Sequence, residues 1–266
     1  MTGVVTHGLL LTGRAARGTM RIPVFAVMNL VQPLLWLLLF GQLFRKVVEI
    51  PGFADGAGAG TTGTSYLEFI APGVVMMTAM FGAAWAGTGF VQDMERGVMD
   101  RLLASQASRP AMLVASMVWY AVVALAQGLV VLGVAWLSGA RFSGGTAGAL
   151  ATLAAVLLLT CFVAAVSNMF ALLARSQEAL IGLSQLVILP LMFLSSAVMD
   201  TRLAADWVAT AARFNPFDWA VVAARGALSV QPDWGEVLGR LGLLTAAVVV
   251  TTALATRAFR SYQRAG

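Results

Sequence analysis

The chain has 266 residues, 59% hydrophobic and only 11% charged, with a formal net charge of +5. Ordinary soluble domains carry roughly a quarter charged residues, so a water-soluble globule is excluded unless the apolar residues are scattered. They collect instead in charge-free stretches near the ~20 residues that cross a ~30 Å hydrocarbon core as a helix.

The first 21 residues precede any such stretch and are predicted to form an amphipathic surface helix. His7, Arg14, Arg17 and Arg21 share one side and Val5, Leu9, Ala16 and Met20 another, although glycines at 8, 13 and 18 weaken it. Six spans are then predicted, at residues 22–44, 69–92, 110–140, 142–174, 179–199 and 237–256. No small-residue cleavage site follows Phe40, so the first reads as an uncleaved anchor. The third is long enough to tilt or to extend beyond the bilayer. Arg240 lies near one end of the sixth, where its stem can snorkel to the interface. These runs are continuous, unlike barrel strands that alternate over ~10 residues, so the expected fold class is all-α: one polytopic helical domain over 1–266, without repeats or a second domain.

The loops between the spans differ in character. Residues 52–65, GFADGAGAGTTGTS, read as a flexible external linker. Residues 200–234 hold two helix-like pieces, 202–214 and 216–229, both too short to cross and therefore interfacial or re-entrant. Asn215 can cap the second and Pro216 fits its first turn. Phe217, Ala220, Val221, Ala224 and Leu228 share one face of it, with Asp218 and Arg225 away from that face.

Six spans put both termini on one side of the membrane. That side carries Arg14, Arg17, Arg21, Arg96, Arg101, Arg109, Arg175, Arg257, Arg260 and Arg264, ten of the seventeen basic residues. The positive-inside bias makes it cytoplasmic, although Arg45 and Lys46, directly after the first span, run against the trend. Arg-rich, Ala- and Gly-rich usage points to a bacterium, and hence to its plasma membrane.

Much chemistry is excluded. The single lysine, Lys46, sits in RKV, so no P-loop is present. The single cysteine, Cys161, lies inside a span, and the single histidine, His7, has no ligand cluster around it. No G-x-S-x-G or H-E-x-x-H occurs. The chain is therefore expected to be no enzyme, to bind no metal or cofactor, and to have membrane lipids rather than nucleic acid around it. Proton and ion relays place ionisable groups inside spans; the polar groups here are the amides Asn29, Gln32, Gln127, Asn168 and Gln185. Interhelical hydrogen bonds, worth ~0.6–2 kcal/mol in membranes, account for them, and so does the lining of a substrate path.

One charged segment interrupts this pattern, ERGVMDRLLASQASRP at 95–110. On a helix, Asp93, Arg96 and Asp100 line one face, while Met94, Val98 and Leu102 form the opposite stripe. Gly97 interrupts it, and Ser108, Arg109 and Pro110 start the next helix. A polar face of mixed sign suits a soluble partner; a helix lying on lipid, the alternative, favours Lys and Arg.

Glu95, Gly97, Asp100, Arg101, Leu102, Leu103, Ser108 and Arg109 resemble the signature of ABC-transporter type-2 permeases. YLEFIAPG at 66–73 and NPFDWAVVAAR at 215–225 are similar to that family's elements before the second and last spans, the likeness being nearest to drug-resistance permeases of the daunorubicin-exporter type. Gln106 stands where the family commonly has proline. The resemblance implies a pair of six-span permeases, this chain with a second copy or a paralogue. Each would be bound to a cytoplasmic ABC ATPase subunit that holds ATP and Mg.

Residues 93–109 would be the coupling helix, with Glu95, Arg96, Asp100 and Arg101 facing the ATPase and Leu102 and Leu103 holding it to the permease; Gly97 and Arg109 belong to the same signature. Cargo would pass between the first, second and fifth spans, along Asn29, Met76, Met80, Gln185 and Met192. Methionines suit a greasy, variable ligand, which favours a drug, polyketide or lipid. Sliding helices would use the small residues Ala79, Ala83 and Gly87, and Pro190 could kink the fifth span. An exporter of polysaccharide or lipid-linked glycan would share the coupling segment, whereas a channel or secondary carrier would need no ATPase.

Overall fold

A computed structural model of the chain describes residues 23–43, 66–98, 109–174, 176–197 and 205–264. They form helices joined by turns, with no strand among the described residues. In chain order these are α1 (Pro23–Leu43), α2 (Tyr66–Ala84), α3 (Thr88–Glu95), α4 (Arg109–Leu137), α5 (Gly145–Ala174), α6 (Gln177–Phe193), α7 (Asp206–Ala212), α8 (Pro216–Leu228) and α9 (Trp234–Arg264). The predicted helix over 1–21, the linker 52–65 and residues 99–108 lie outside the described residues.

Four segments among the described residues are long and apolar enough to cross a membrane: Tyr66–Glu95, Met112–Leu137, Gly145–Ala174 and Trp234–Ala258. Leu30–Leu43 and Gln177–Phe193 are apolar but shorter. Leu35, Leu39, Leu129, Leu150, Leu186, Phe193 and Val249 point outward, a surface that only lipid or another apolar chain would solvate. The chain is a multi-pass membrane protein.

The bundle is built around α2 and α5. α5 packs on α9, α4, α8 and α2, and α1 lies outside against α2 and α4. Ile70, Val74, Met76 and Met80 of α2 interlock with Val156 and Leu159 of α5, Phe217 of α8 and Leu244 of α9. A second apolar cluster, at the end of the bundle near Glu95, joins Phe90 and Val91 of α3 to Met112, Leu113, Leu172, Leu180 and Ala255.

Two boundaries differ from the sequence expectation. The second span is two helices, α2 and α3, separated by a turn at 85–87. α6, in the fifth predicted span, ends at Phe193 rather than residue 199; Asn215 donates to Leu191 O and Leu194 O at its end, and Arg225 to Ser196 O just beyond it. α8, expected to be interfacial or re-entrant, is packed between α5, α9 and α2. Asp218, expected to face outward, is buried there with Asn215.

Candidate functional site

A cavity opens between α1, α2, α4 and α6. It measures about 290 Å³ and is walled by Gln32, Pro33 and Trp36 of α1, a stripe of α2, Gln127 of α4, and Gln185 and Met192 of α6. The α2 stripe is Val74, Met77, Thr78, Phe81 and Gly82, continued by Trp85 in the turn after it, the i, i+3, i+4 recurrence of one helix face. Among the described residues its lining holds no charged group. Of the sequence candidates, Gln185 and Met192 stand in this wall, whereas Met76 and Met80 are wholly buried in the core. Helix geometry is the reason: the cavity face of α2 passes through Met77, and Met76 and Met80 fall on the side turned to the core. Asn29 lies on α1, but its side chain is outside the described residues.

The break in the second span sits at one edge of this cavity. The helix tightens there through i→i+3 bonds: the amides of Trp85, Ala86 and Thr88 donate to Gly82, Ala83 and Trp85 carbonyls. Tightening strips the Ala84 carbonyl and the Gly87 N–H of their helical partners, which is costly inside a bilayer. Ser167 of α5 takes both: its hydroxyl donates to Ala84 O at 2.6 Å and accepts from Gly87 N–H at 3.0 Å. The Trp85 carbonyl accepts in addition from Tyr120 Oη at 3.0 Å and Thr88 Oγ1 at 2.7 Å. Gly87 has to be glycine, since a Cβ there would collide with the Ser167 carbonyl. The small-residue row therefore ends in a hydrogen-bonded joint. Ser167 and Tyr120 carry no sequence signal of that role, lying 83 and 35 residues from their acceptors.

Beyond the joint, α3 leads to the charged segment. It ends at Glu95, and the Arg96 and Gly97 amides donate back to Gln92 O and Met94 O. Gly97 has φ +63°, the left-handed residue that closes many helices. The interruption expected at Gly97 is present: α3, which carries Asp93, ends at Glu95. Glu95 and Arg96 are exposed. Asp100, Arg101, Leu102, Leu103 and Ser108 lie outside the described residues; Arg109 begins α4, with its side chain outside them.

The opposite end of the bundle joins the other two motifs. Asn215 caps α8 as expected, its Oδ1 accepting from Phe217 N–H at 2.9 Å. Its Nδ2 donates to Leu191 O and Leu194 O, both at 2.6 Å. These carbonyls lie at the end of α6, where Pro190 and the helix terminus leave acceptors to be filled. Asp218 Oδ1 accepts from the N–H and the hydroxyl of Ser196, each at 2.7 Å. Arg225 stacks on Phe69 of YLEFIAPG at 3.8 Å and donates to Ser196 O and Phe69 O. Arg225 and Asp218 were expected to face away from the packed side; they are instead the groups that hold the α6 terminus to α8 and α2. Glu68 extends the knot by accepting from Arg141 N–H at 2.8 Å.

Of the membrane amides, Asn168 pairs across helices with Ser116, at 3.4–3.5 Å. Gln127 does not: its Oε1 is buried with no partner.

Comparison with known proteins agrees with the family resemblance. The family model described as ABC-2 type transporter matches residues 7–229. The chain is 31% identical over 254 residues to the daunorubicin resistance ABC transporter permease protein DrrB1 of Streptomyces coeruleorubidus, covering 93% of this chain and 84% of that one. It is 28% identical over 216 residues to the putative transport permease ycf38 of Porphyra purpurea, covering 80% and 70%. The corresponding protein of Pyropia yezoensis is 26% identical over 270 residues, covering 95% and 90%. With the helical membrane bundle and these matches in hand, the chain belongs to the ABC-2 type transporter family.

Proposed function

We propose that this chain is the membrane subunit of an exporter that moves an amphipathic or hydrophobic cargo, with ATP and Mg held by a separate cytoplasmic ATPase. α1 and α6 complete a set of six spans, both termini are cytoplasmic, and the membrane is a bacterial plasma membrane. Two such subunits, copies or paralogues, meet across the exposed apolar faces of α1 and α6.

The observation that carries the reading is the cavity between α1, α2, α4 and α6, whose described lining is uncharged: Trp36, Phe81, Trp85, Met77 and Met192 with amides at intervals. Such a wall accepts flat apolar bodies and rejects highly charged chains. The likeness to a daunorubicin resistance permease supports a drug-like cargo over a glycan. The route for work is mechanical. The segment 95–109, with Glu95, Arg96, Asp100, Arg101, Leu102 and Leu103, sits against the ATPase and moves with it. α3 carries the motion through the Phe90–Val91 cluster to the joint at 85–87, and that joint borders the cavity.

The test is to co-express the chain with a candidate ATP-binding-cassette ATPase subunit that co-purifies with it and assay inverted vesicles. ATP-dependent uptake of daunorubicin, lost in Glu95→Ala and Arg101→Ala while hydrolysis persists, supports the reading. Uptake without any ATPase supports a secondary carrier, and stimulation by a lipid-linked glycan alone supports the glycan exporter; either result overturns the proposal.

A further inference from the structure

The glycines around the cavity are of two kinds, told apart by the space beside them. A Cβ on Gly73 of α2 would collide with the Ala197 carbonyl, and one on Gly87 with the Ser167 carbonyl, so close packing requires glycine at both. A Cβ on Gly128 of α4 would press on Val75 Cγ1 at 3.3 Å. Gly82 of α2 is different: the nearest atom to a Cβ there is Gln127 Oε1, at an ordinary contact distance of 3.7 Å. Backbone conformation does not call for glycine at 82 either, since the positive φ values among the described residues fall at Gly97, Gly139 and Gly145. Nor does the joint. Gly82 gives it a carbonyl, which accepts from the Trp85 N–H, and any residue can supply that.

Glycine is the poorest helix former after proline, and nothing packed on this one demands it. What its missing side chain does is leave room. Gly82 is half-buried and lines the cavity, with Thr78 one turn before it, Trp85 one turn after it and Phe81 beside it. The α2 wall is therefore notched at 82, with Phe81 and Trp85 as the rims and Gln127 behind. The α1 wall adds a second flat surface, Trp36, held by its stack on Phe40 with ring centroids 4.8 Å apart. A cavity of about 290 Å³ is at the small end of the range for ligand pockets, so the volume of one side chain at the notch decides whether a broad ring system enters.

We propose that Gly82 is the width-determining position of the cavity: its notch takes the edge of a broad, fused-ring cargo that a side chain there would exclude. This rests on the reading of the cavity as the cargo chamber. A slender molecule lies along the wall without using the notch, so the residue at 82 separates cargoes by breadth rather than by overall hydrophobicity.

Two probes differ in that respect: 1-hydroxypyrene, with four fused rings, and 4-phenylphenol, with two rings in line. Both are neutral near pH 7 and each carries one hydroxyl. Binding is measured by equilibrium dialysis against the full chain in lipid nanodiscs, with empty discs subtracted. The wild type is expected to bind both. Gly82→Leu is expected to weaken 1-hydroxypyrene about tenfold, the scale of losing the burial of about two CH₂ groups, and 4-phenylphenol by less than about twofold; the retained binding also reports that the variant is folded. Gly82→Val, a smaller plug, is expected to fall between, and carries the test should the leucine variant not fold. Gly133→Leu makes the same exchange at an α4 glycine that also has open space beside it but lies outside the cavity lining. It is expected to leave both affinities as in the wild type, which separates filling the notch from a change in helix stability. Equal loss of the two probes in the Gly82 variants, or loss of neither, overturns the assignment and leaves the chamber standing. Binding of neither probe to the wild type above empty discs overturns the chamber reading as well.

Discussion

Replacing Ser167 with alanine removes one oxygen and unbalances two backbone groups at once. The Ala84 carbonyl and the Gly87 N–H both lose their partner, and Ser167 is buried where water does not substitute. In soluble proteins each group left unsatisfied costs about 1–3 kcal/mol. In membrane bundles interhelical bonds average ~0.6 and reach ~1.7 kcal/mol, because the unfolded chain finds other partners in the bilayer. Two groups together therefore lower stability by about 1–3 kcal/mol.

The control is Thr160→Val, also in α5 and also wholly buried. The Thr160 hydroxyl only doubles up on the Val156 carbonyl of its own helix, at 2.7 Å, and that carbonyl keeps its backbone partner. Its loss is expected to cost no more than about 0.5 kcal/mol. Unfolding in mixed detergent micelles reads both differences, and amide exchange reads Gly87 directly, expected to quicken about tenfold or more in Ser167→Ala. Equal destabilisation by the two substitutions, or unchanged protection at Gly87, would refute the reasoning that Ser167 holds the joint.

Other perturbations probe the two ends of the bundle. Asn215→Ala removes the α8 cap and both donors to the end of α6, and is expected to cost about 2–3 kcal/mol in the same unfolding assay. Asn215→Asp keeps the cap acceptor but loses the donors, and should fall between alanine and wild type. Gly97→Ala forces a side chain into φ +63° at a cost of about 1–2 kcal/mol. Its expected signature is less cargo moved per ATP hydrolysed, with folding and assembly retained, as read by paired hydrolysis and vesicle-uptake measurements.

The helices were legible in the sequence because continuous apolar runs admit no other regular structure in a bilayer, and the Asn215–Pro216 start of α8 because capping is local. The break at 85–87 was not. No proline marks it, and the group that sustains it, Ser167, arrives from another helix. The roles of Asp218 and Arg225 were hidden similarly: a helical wheel sets their charges apart from the apolar face, but cannot show the Ser196 and Ala197 backbone that fills the space beside them. The methionines of α2 were hidden by rotation. Composition draws attention to all of them, yet only the way that helix is turned in the bundle decides that Met77 lines the cavity while Met76 and Met80 pack the core.

The central claim is that work enters this chain through the segment after α3. The most direct measurement is site-specific photo-crosslinking of the intact complex, using Cys161→Ala to remove the single native cysteine. One labelled cysteine replaces Arg96, which is exposed at the end of α3, and in a second protein one replaces Arg141, beyond α4 at the other end of the bundle. The account predicts an adduct between position 96 and the ATPase subunit whose yield changes with bound nucleotide, and none from position 141. An ATPase that labels from 141, or a fully active transporter in which 96 labels only lipid, would contradict it.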